Sequence, residues 1–396
     1  MHLAAKTGQS EIFQTVLKSE KDKNPKNDYG QSPFHLVCIT GQFDMAKMLI
    51  NQSGDLNIEL NAKDRFGQTA FQLASCNGKL QIVDLLIQKS TEFNIELTTK
   101  DASEKTALHH ACERGHKEVA EMILKKFVKL NMENNSKDDS EQTPFHLACW
   151  NGHLEIVEII IRKHFEFNVD LNTKALFGMT AFHMACQRGH LEIAKRLLQT
   201  FVELNIDVNG KDTLGSTAFI TACSYGQSEI VEMLMNTSND SIIDLNARYN
   251  YSGLTGFLVA CQNGYVEIAR MMIEKSAELN IKLDTRCMLD RTPLHFACNW
   301  GQLNVAKVLM QNSTMFNIQL NIKDKTYGMT AFHMACKRGH LSIVELMIEN
   351  RQFINLDLLA KDMHGRTGYE IAKEFGKTDV INLIEEKLPC DQFLLL

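Results

Sequence analysis

The sequence predicts an all-α fold, a solenoid of helix–turn–helix units that carry extended, hairpin-like arms along one edge. The first observation behind this prediction is a period, because eleven glycines recur at intervals of 33 to 38 residues, most often 37. They are Gly8, Gly41, Gly78, Gly115, Gly152, Gly189, Gly226, Gly264, Gly301, Gly339 and Gly376. The second is apolar residues at helical spacing on both sides of each glycine, and the third is a short polar–apolar alternation that follows. A fixed period of this size indicates a stack of one supersecondary unit.

The unit that begins at Thr143 shows how the sequence predicts the first helix. Thr143 can cap a helix, and Pro144 suits its first position, where no amide hydrogen is needed. Gly152 ends the helix, because a left-handed position costs a non-glycine residue about 1–2 kcal/mol.

A second helix and an arm complete the unit. The apolar residues of this helix are Leu154, Ile156, Val157, Ile160 and Ile161. In the arm, Phe167, Val169 and Leu171 alternate with polar residues, which is the period-2 pattern of extended chain. Two units are one residue longer, near 249–252 and 323–327, and both insertions fall at the arm tip, where a solenoid tolerates them.

The period also sets the domain organisation. We expect residues 1–388 to form a single solenoid, with a partial repeat over 1–31 and a short tail over 389–396. About ten repeats follow the partial one, starting near residues 32, 69, 106, 143, 180, 217, 255, 292, 330 and 367. The chain begins inside a first helix, without its Thr-Pro pair, and from this we expect a fragment of a longer protein.

Repeated short motifs resemble those of the ankyrin-repeat family along nearly the whole chain. The family's Thr-Pro-Leu-His-x-Ala motif corresponds to residues 143–148 and 292–297, with variants at 32–35 and 106–109. The Gly-His start of the second helix occurs at Gly152-His153 and Gly189-His190. The family's usual unit has 33 residues, and the surplus in the 37-residue variant falls after the second helix, which implies a longer arm. The resemblance implies a monomeric protein-binding solenoid without a cofactor.

Charge and cysteine placement exclude several classes. Lys and Arg total 42 against 48 Asp and Glu, a net charge of −6, so no basic surplus suits a nucleic acid. No apolar run of about 18 residues and no signal peptide is present, so we expect no membrane insertion. Eight of eleven cysteines stand three residues before a period glycine, which indicates a packing position for small hydrophobes. Free thiols repeated in this way predict a reducing compartment, the cytoplasm or the nucleus, and not secretion.

Histidine and cysteine also recur as His-x-x-Cys, a spacing that places both on one helix face. Zinc needs four ligands at about 2.0–2.3 Å, whereas packed helices lie roughly 8–10 Å apart, so pairs from successive repeats do not converge. We therefore expect each histidine to bond local backbone beside a packed thiol. The sequence predicts no metal site, no cofactor and no catalytic residue, and hence no enzyme.

The two residues before each period glycine end the first helix, and the family resemblance implies that they line a concave surface. These positions vary while their neighbours repeat, and both tryptophans of the chain fall here. Trp, Tyr and Arg dominate binding hot spots. The candidate partner contacts are Glu113, Arg114, Trp150, Asn151, Arg188, Tyr225, Asn263, Trp300 and Arg338. The alternative is that each aromatic ring only covers a neighbouring helix.

Large apolar residues also stand at the arm tips, one position before the turn. They are Tyr29, Phe66, Phe177, Leu214, Leu289 and Tyr327. Side chains of this kind at a solvent-facing tip indicate a second contact surface. The alternative is that each one packs on the next arm.

Taken together, these patterns predict a non-catalytic scaffold or adaptor that presents a concave helical surface and arm tips to a partner protein. One alternative is the recognition portion of a larger protein, such as an ion channel, a ubiquitin-ligase substrate receptor or a kinase. A metal protein or thiol enzyme is a third class, which a bound metal or a single fast-reacting thiol would reveal.

Overall fold

A computed structural model describes residues 1–237, 242–249 and 251–388, and its helices form two compact units, Met1–Ile206 and Asp207–Leu396. The predicted tail over 389–396 lies outside the described residues. The helices of the first unit are α1 (His2–Thr7), α2 (Ser10–Ser19), α3 (Pro33–Thr40), α4 (Phe43–Asn51), α5 (Ser53–Leu56), α6 (Ala70–Cys76), α7 (Leu80–Lys89), α8 (Ala107–Arg114), α9 (Lys117–Lys129), α10 (Pro144–Trp150), α11 (Leu154–Phe167), α12 (Ala181–Arg188) and α13 (Leu191–Gln199), with one 3-10 turn at Leu176–Gly178.

The described residues of the second unit repeat the same helix–turn–helix pattern. Its helices are α14 (Ala218–Tyr225), α15 (Ser228–Asn236), α16 (Gly256–Asn263), α17 (Val266–Glu274), α18 (Pro293–Trp300), α19 (Leu303–Gln311), α20 (Ala331–Arg338), α21 (Leu341–Asn350), α22 (Gly368–Glu374) and α23 (Thr378–Lys387). The described part of the chain thus contains helices and no strands, and the predicted all-α class is confirmed.

From α3 onward, each first helix begins at a capping residue that stands where a repeat was predicted to start. Thr143 shows the arrangement: its hydroxyl oxygen accepts from the His146 amide at 3.4 Å, while the His146 ring accepts from the Thr143 amide at 3.2 Å. This reciprocal capping box satisfies two amides that a helix start would otherwise leave unpaired. In the last repeat Glu370 replaces the histidine and accepts from the Thr367 amide at 2.7 Å.

The helices of each unit pack in two layers. In the first unit, the first helices contact one another in the order α1, α3, α6, α8, α10 and α12, and the second helices α4, α7, α9, α11 and α13 form the other layer. In the second unit, α14, α16, α18, α20 and α22 form one layer and α15, α17, α19, α21 and α23 form the other. The core lies between the layers, where Phe145, Ala148 and Cys149 are buried.

The arms differ in local geometry from an extended strand. Helix α11 continues to Phe167, and Asn168 then adopts a left-handed conformation with φ 50°. Val169 and Leu171 are both buried in the turns that follow, so the apolar alternation reports burial without strand pairing. Asparagine suits this position because its short polar side chain tolerates left-handed backbone.

Asparagine side chains bridge successive arms. Asn135 donates from its amide to the Asn168 carbonyl at 2.8 Å and accepts from the Asp170 backbone amide at 2.9 Å. Asn61 makes the same pair of bonds to Asn94 and Glu96 one bridge earlier. Side-chain bridges of this kind therefore link successive repeats.

Candidate functional site

The first-helix ends are the candidate site, and the packing of the next repeat fixes their position. Gly115 adopts φ 78°, and an added Cβ there would lie 2.5 Å from Nδ1 of His153. The His153 ring occupies this space and its Nε2 bonds the Glu113 carbonyl at 2.9 Å. Each such contact anchors the backbone that carries a predicted contact residue.

Most side chains at these helix ends are exposed and lie outside the buried core. Arg114, Asn151, Arg188, Asn263 and Arg338 are exposed, and Glu113 is partly exposed. In contrast, the phenylalanine, alanine and cysteine positions earlier in the same helices are buried. The variable residues of the first helix are therefore the ones that solvent reaches.

In the first unit, two of the predicted residues stack on each other. The guanidinium carbon of Arg188 lies 4.9 Å from the centroid of the half-buried Trp150 ring, within cation–π range. Glu113 forms a salt bridge with Lys105 at 2.9 Å. The half-buried Trp150 ring is in contact with Arg188 of the next repeat, which is part of what the alternative prediction, a ring that covers its neighbour, requires.

In the second unit, the aromatic residues are more open. Tyr225 is 53% exposed and Trp300 is 57% exposed, which leaves both rings available to a partner. Asn263 donates to the Ser224 carbonyl at 3.0 Å, and Arg338 donates from Nε to Asn299 at 3.1 Å. These bonds hold polar side chains beside the two exposed rings.

A groove of about 400 Å³ in the second unit joins the two predicted kinds of contact residue. Its lining combines the arm-tip Leu214 with the first-helix-end Asn263. The complete lining is Leu214, Ser224, Tyr249, Tyr251, Ser252, Leu254, Val259, Gln262 and Asn263. Sequence reasoning missed Tyr251, which is 82% exposed, although the one-residue insertion near 249–252 marked this arm as different.

The six predicted arm-tip residues are all substantially exposed, between 45% and 66%. Tyr327 has a further contact, because the Lys337 ammonium lies 5.3 Å from its ring and 4.8 Å from the ring of Phe375. Lys337 and Phe375, which are not among the predicted contact residues, link this tip to the ends of two first helices. Tips and helix ends thus lie within reach of one ligand in this part of the second unit.

A family model for ankyrin repeats matches five consecutive segments, residues 1–99, 92–175, 163–248, 238–324 and 311–392. The chain belongs to the ankyrin-repeat family. No curated protein gives a significant match. Ankyrin repeats are generally protein–protein interaction modules and are typically non-catalytic.

The recurrent histidine of the repeat that starts at Thr292 shows the predicted contacts. His295 accepts from the Thr292 amide through Nδ1 at 3.1 Å, and Nε2 lies 3.0 Å from the Met329 carbonyl, which it can only meet as a donor. Burial lowers the pKa of His295 to about 4, so the neutral ring is the one that packs. The prediction that these histidines bond local backbone is confirmed for this ring.

The eight repeated cysteines occupy the packing position of the ankyrin core. All eight are free and buried, and burial raises the pKa of each thiol, as for Cys149 and Cys298. Among the described residues, no cluster of three or more His, Cys, Asp or Glu side chains could hold a metal ion. No helix in the described ranges combines the length and apolarity needed to cross a bilayer.

Proposed function

We propose that this chain is a non-catalytic scaffold or adaptor that binds a partner protein through its first-helix ends and arm tips. The supporting observation is the groove in the second unit, where an arm tip and a first-helix end line one cavity beside exposed Tyr225. A groove with mostly apolar walls and a few polar side chains suits a peptide segment or loop.

Rigid presentation is the mechanism of this proposal. Capping boxes, buried packing positions and asparagine bridges fix the helix ends before any partner arrives, so little ordering entropy is lost on association. In the first unit the partner contacts are Glu113, Arg114, Trp150, Asn151 and Arg188. In the second unit they are Tyr225, Asn263, Trp300 and Arg338, with the six arm-tip residues as additional contacts.

The remaining parts of the proposal follow from the same sequence features. The chain acts as a monomer without a cofactor, in the reducing environment of the cytoplasm or the nucleus, where its free thiols persist. Its net charge of −6 disfavours nucleic acid as the partner. The single solenoid over residues 1–388 stays a prediction.

The test combines affinity capture with a double substitution in the second unit. Tyr225→Ala with Trp300→Ala removes two exposed rings, so we expect the captured partner to bind at least about thirtyfold more weakly, which corresponds to hot-spot losses of about 2 kcal/mol. Quantitative mass spectrometry of proteins retained by wild type and variant is the measurement. The melting temperature should change little, because both rings are solvent-exposed.

Phe353→Ala is the matched control, since Phe353 is 82% exposed but lies beyond a second helix. We expect this variant to retain the wild-type set of proteins. Equal retention by the double variant and the control would contradict the assignment of the binding surface.

A further inference from the structure

The first-helix ends of the second unit differ in charge from the chain as a whole. The chain carries a net charge of −6, yet both residues at the end of α20, Lys337 and Arg338, are cations. The one carboxylate among the end positions of this unit is Glu374, and it is paired with Arg366. The end of α20 is therefore a local basic site on an acidic chain.

The ammonium of Lys337 contacts two exposed aromatic rings. It lies 5.3 Å from the ring of Tyr327 and 4.8 Å from the ring of Phe375, within the cation–π range of about 6 Å. In the described ranges this ammonium donates no hydrogen bond and forms no salt bridge. The two rings therefore position the charge without neutralising it.

The guanidinium of Arg338 is held at one nitrogen and open at the other two. Its Nε donates to Oδ1 of Asn299 at 3.1 Å, and among the residues that the structure describes its terminal nitrogens have no acceptor. Asn299 directly precedes Trp300, whose ring is 57% exposed. An arginine held in this way presents a flat pair of donors that matches the two oxygens of a carboxylate.

Carboxylates of the arm and helix end that carry these rings already have arginine partners. Oδ2 of the buried Asp324 lies 3.2 Å from Nε of Arg291. Oδ2 of Asp362 lies 2.7 Å from Nη2 of Arg366, and the same guanidinium pairs with Glu374. The two cations at the end of α20 are thus left for an anion from outside the chain.

We propose that the second unit binds an acidic segment of its partner protein at Trp300, Tyr327, Lys337, Arg338 and Phe375, which together form the α20 patch. Carboxylates of the segment bond the open guanidinium and the ammonium, and a neighbouring apolar side chain packs on the exposed rings. This assignment rests on the proposed protein-binding function and adds the charge of the partner.

The negative net charge of the chain does not oppose this assignment. Exposed charges are screened beyond about 8 Å at physiological ionic strength, so a bound segment responds to the α20 patch more than to distant carboxylates. Complementary charge across the contact fixes the orientation of the segment and raises its association rate. The rings supply contact area at a low cost in side-chain entropy.

The test selects random peptides displayed on phage against the full chain. We expect the selected peptides to be enriched in Asp and Glu beside a large apolar residue. A synthetic copy of the most enriched peptide should bind Lys337→Glu with Arg338→Glu at least about tenfold more weakly than wild type in fluorescence anisotropy. Its affinity for wild type should fall between about 0.1 M and 1 M salt, where the Debye length shortens from about 10 Å to 3 Å.

Arg270→Glu with Lys307→Glu is the matched control, because it reverses one arginine and one lysine that are exposed on the second helices α17 and α19. It changes the net charge by the same amount and should leave the peptide affinity within about twofold of wild type. An equal loss in this control would reveal a general charge effect and overturn the proposal.

A neutral variant covers the case in which glutamate at a helix C-terminus destabilises α20. If the double glutamate variant melts below wild type, Lys337→Gln with Arg338→Gln decides, and it should weaken binding at least about threefold. Selected peptides without acidic enrichment, or equal affinity for wild type and the patch variants, overturn the acidic partner. Displacement of the peptide by inorganic phosphate at constant ionic strength overturns it in favour of a phosphoryl ligand. The proposed function is judged separately, by the capture experiment with Tyr225→Ala and Trp300→Ala.

Discussion

At the residue scale, the third helical position of several repeats joins helix capping to a contact near the end of the same repeat. His295 caps its own helix through Nδ1 and reaches the carbonyl of Met329, the residue directly before the next repeat, through Nε2. Gln72 does the same in another repeat, accepting from the Thr69 amide at 2.8 Å and donating to the Thr99 and Lys105 carbonyls. What the position requires is one acceptor and one donor at a fixed separation.

Because glutamine can replace histidine at this position, we expect His295→Gln to reduce the loss of stability at acid pH. Burial lowers the pKa of His295 to about 4, below the unfolded value of about 6.5, so the unfolded chain binds the proton first. Stability is therefore present above pH 6.5 and falls as the pH drops from 6.5 towards 4. We expect the glutamine variant to lose about 2 kcal/mol less than wild type between pH 7 and pH 5, as measured by urea unfolding.

The exposed His364 provides the control, and His364→Gln should keep the wild-type pH dependence. An unchanged acid loss in His295→Gln would mean that this ring does not titrate across that interval.

At the element scale, the arms are held by side-chain bridges and a backbone contact at their tips. The Ala102 amide, for example, donates to the Phe66 carbonyl of the preceding arm at 2.9 Å. The bridge position is not filled identically in every repeat, because the exposed Thr98 stands between Asn61 and Asn135 in the series and the structure records no such bridge from it.

The arm bridge predicts a stability difference between Asn135→Ala and Thr98→Ala. Asn135 makes two hydrogen bonds to the following arm, each worth about 0.5–1.5 kcal/mol, so its replacement should cost about 1–2 kcal/mol. Thr98→Ala should cost less than about 0.5 kcal/mol. Denaturant unfolding of the two variants measures the difference, and equal losses would rule out the bridge as a stabilising contact.

At the scale of the whole molecule, each unit is a stack in which helices contact their neighbours in the series. Helix α10, for example, contacts α8 and α12 among the first helices. Stability in such a stack is a sum of repeat and nearest-neighbour terms, so repeats can open locally. The eight buried thiols report on this opening, since each one marks a different repeat.

Phe145→Ala should therefore expose a local group of thiols. The ring is buried, and its removal should cost about 3–5 kcal/mol through lost contacts and a cavity. We expect labelling of Cys112, Cys149 and Cys186 in native buffer to accelerate more than labelling of Cys298. Mass spectrometry of timed iodoacetamide reactions measures this, and uniform acceleration of all thiols would indicate all-or-none unfolding.

Some features of the structure can be predicted from sequence patterns within a single repeat, and others cannot. Capping by Thr143, burial of Cys149 and the backbone bonds of the histidines follow from spacing within one repeat, and the sequence predicted them. The contact of the Lys337 ammonium with the Phe375 ring spans 38 residues and depends on how adjacent repeats lie together, so no local pattern indicates it. The extended chain predicted for the arm around Asn168 was wrong, because apolar residues alternate in the same way in a strand and in buried turns.

The contact between Gly115 and His153 has a consequence for how repeats can be gained or lost in evolution. The same geometry recurs at Gly78 with His116 and at Gly301 with His340, and Tyr265 takes the place of the histidine at Gly226, so many neighbouring repeats meet at the same position. A duplicated or deleted repeat recreates that connection at its new boundary, provided that whole units are gained or lost. Recombination in steps of one repeat is therefore tolerated by the fold, whereas a shift of a few residues within a helix misplaces the glycine and breaks the fit on both sides.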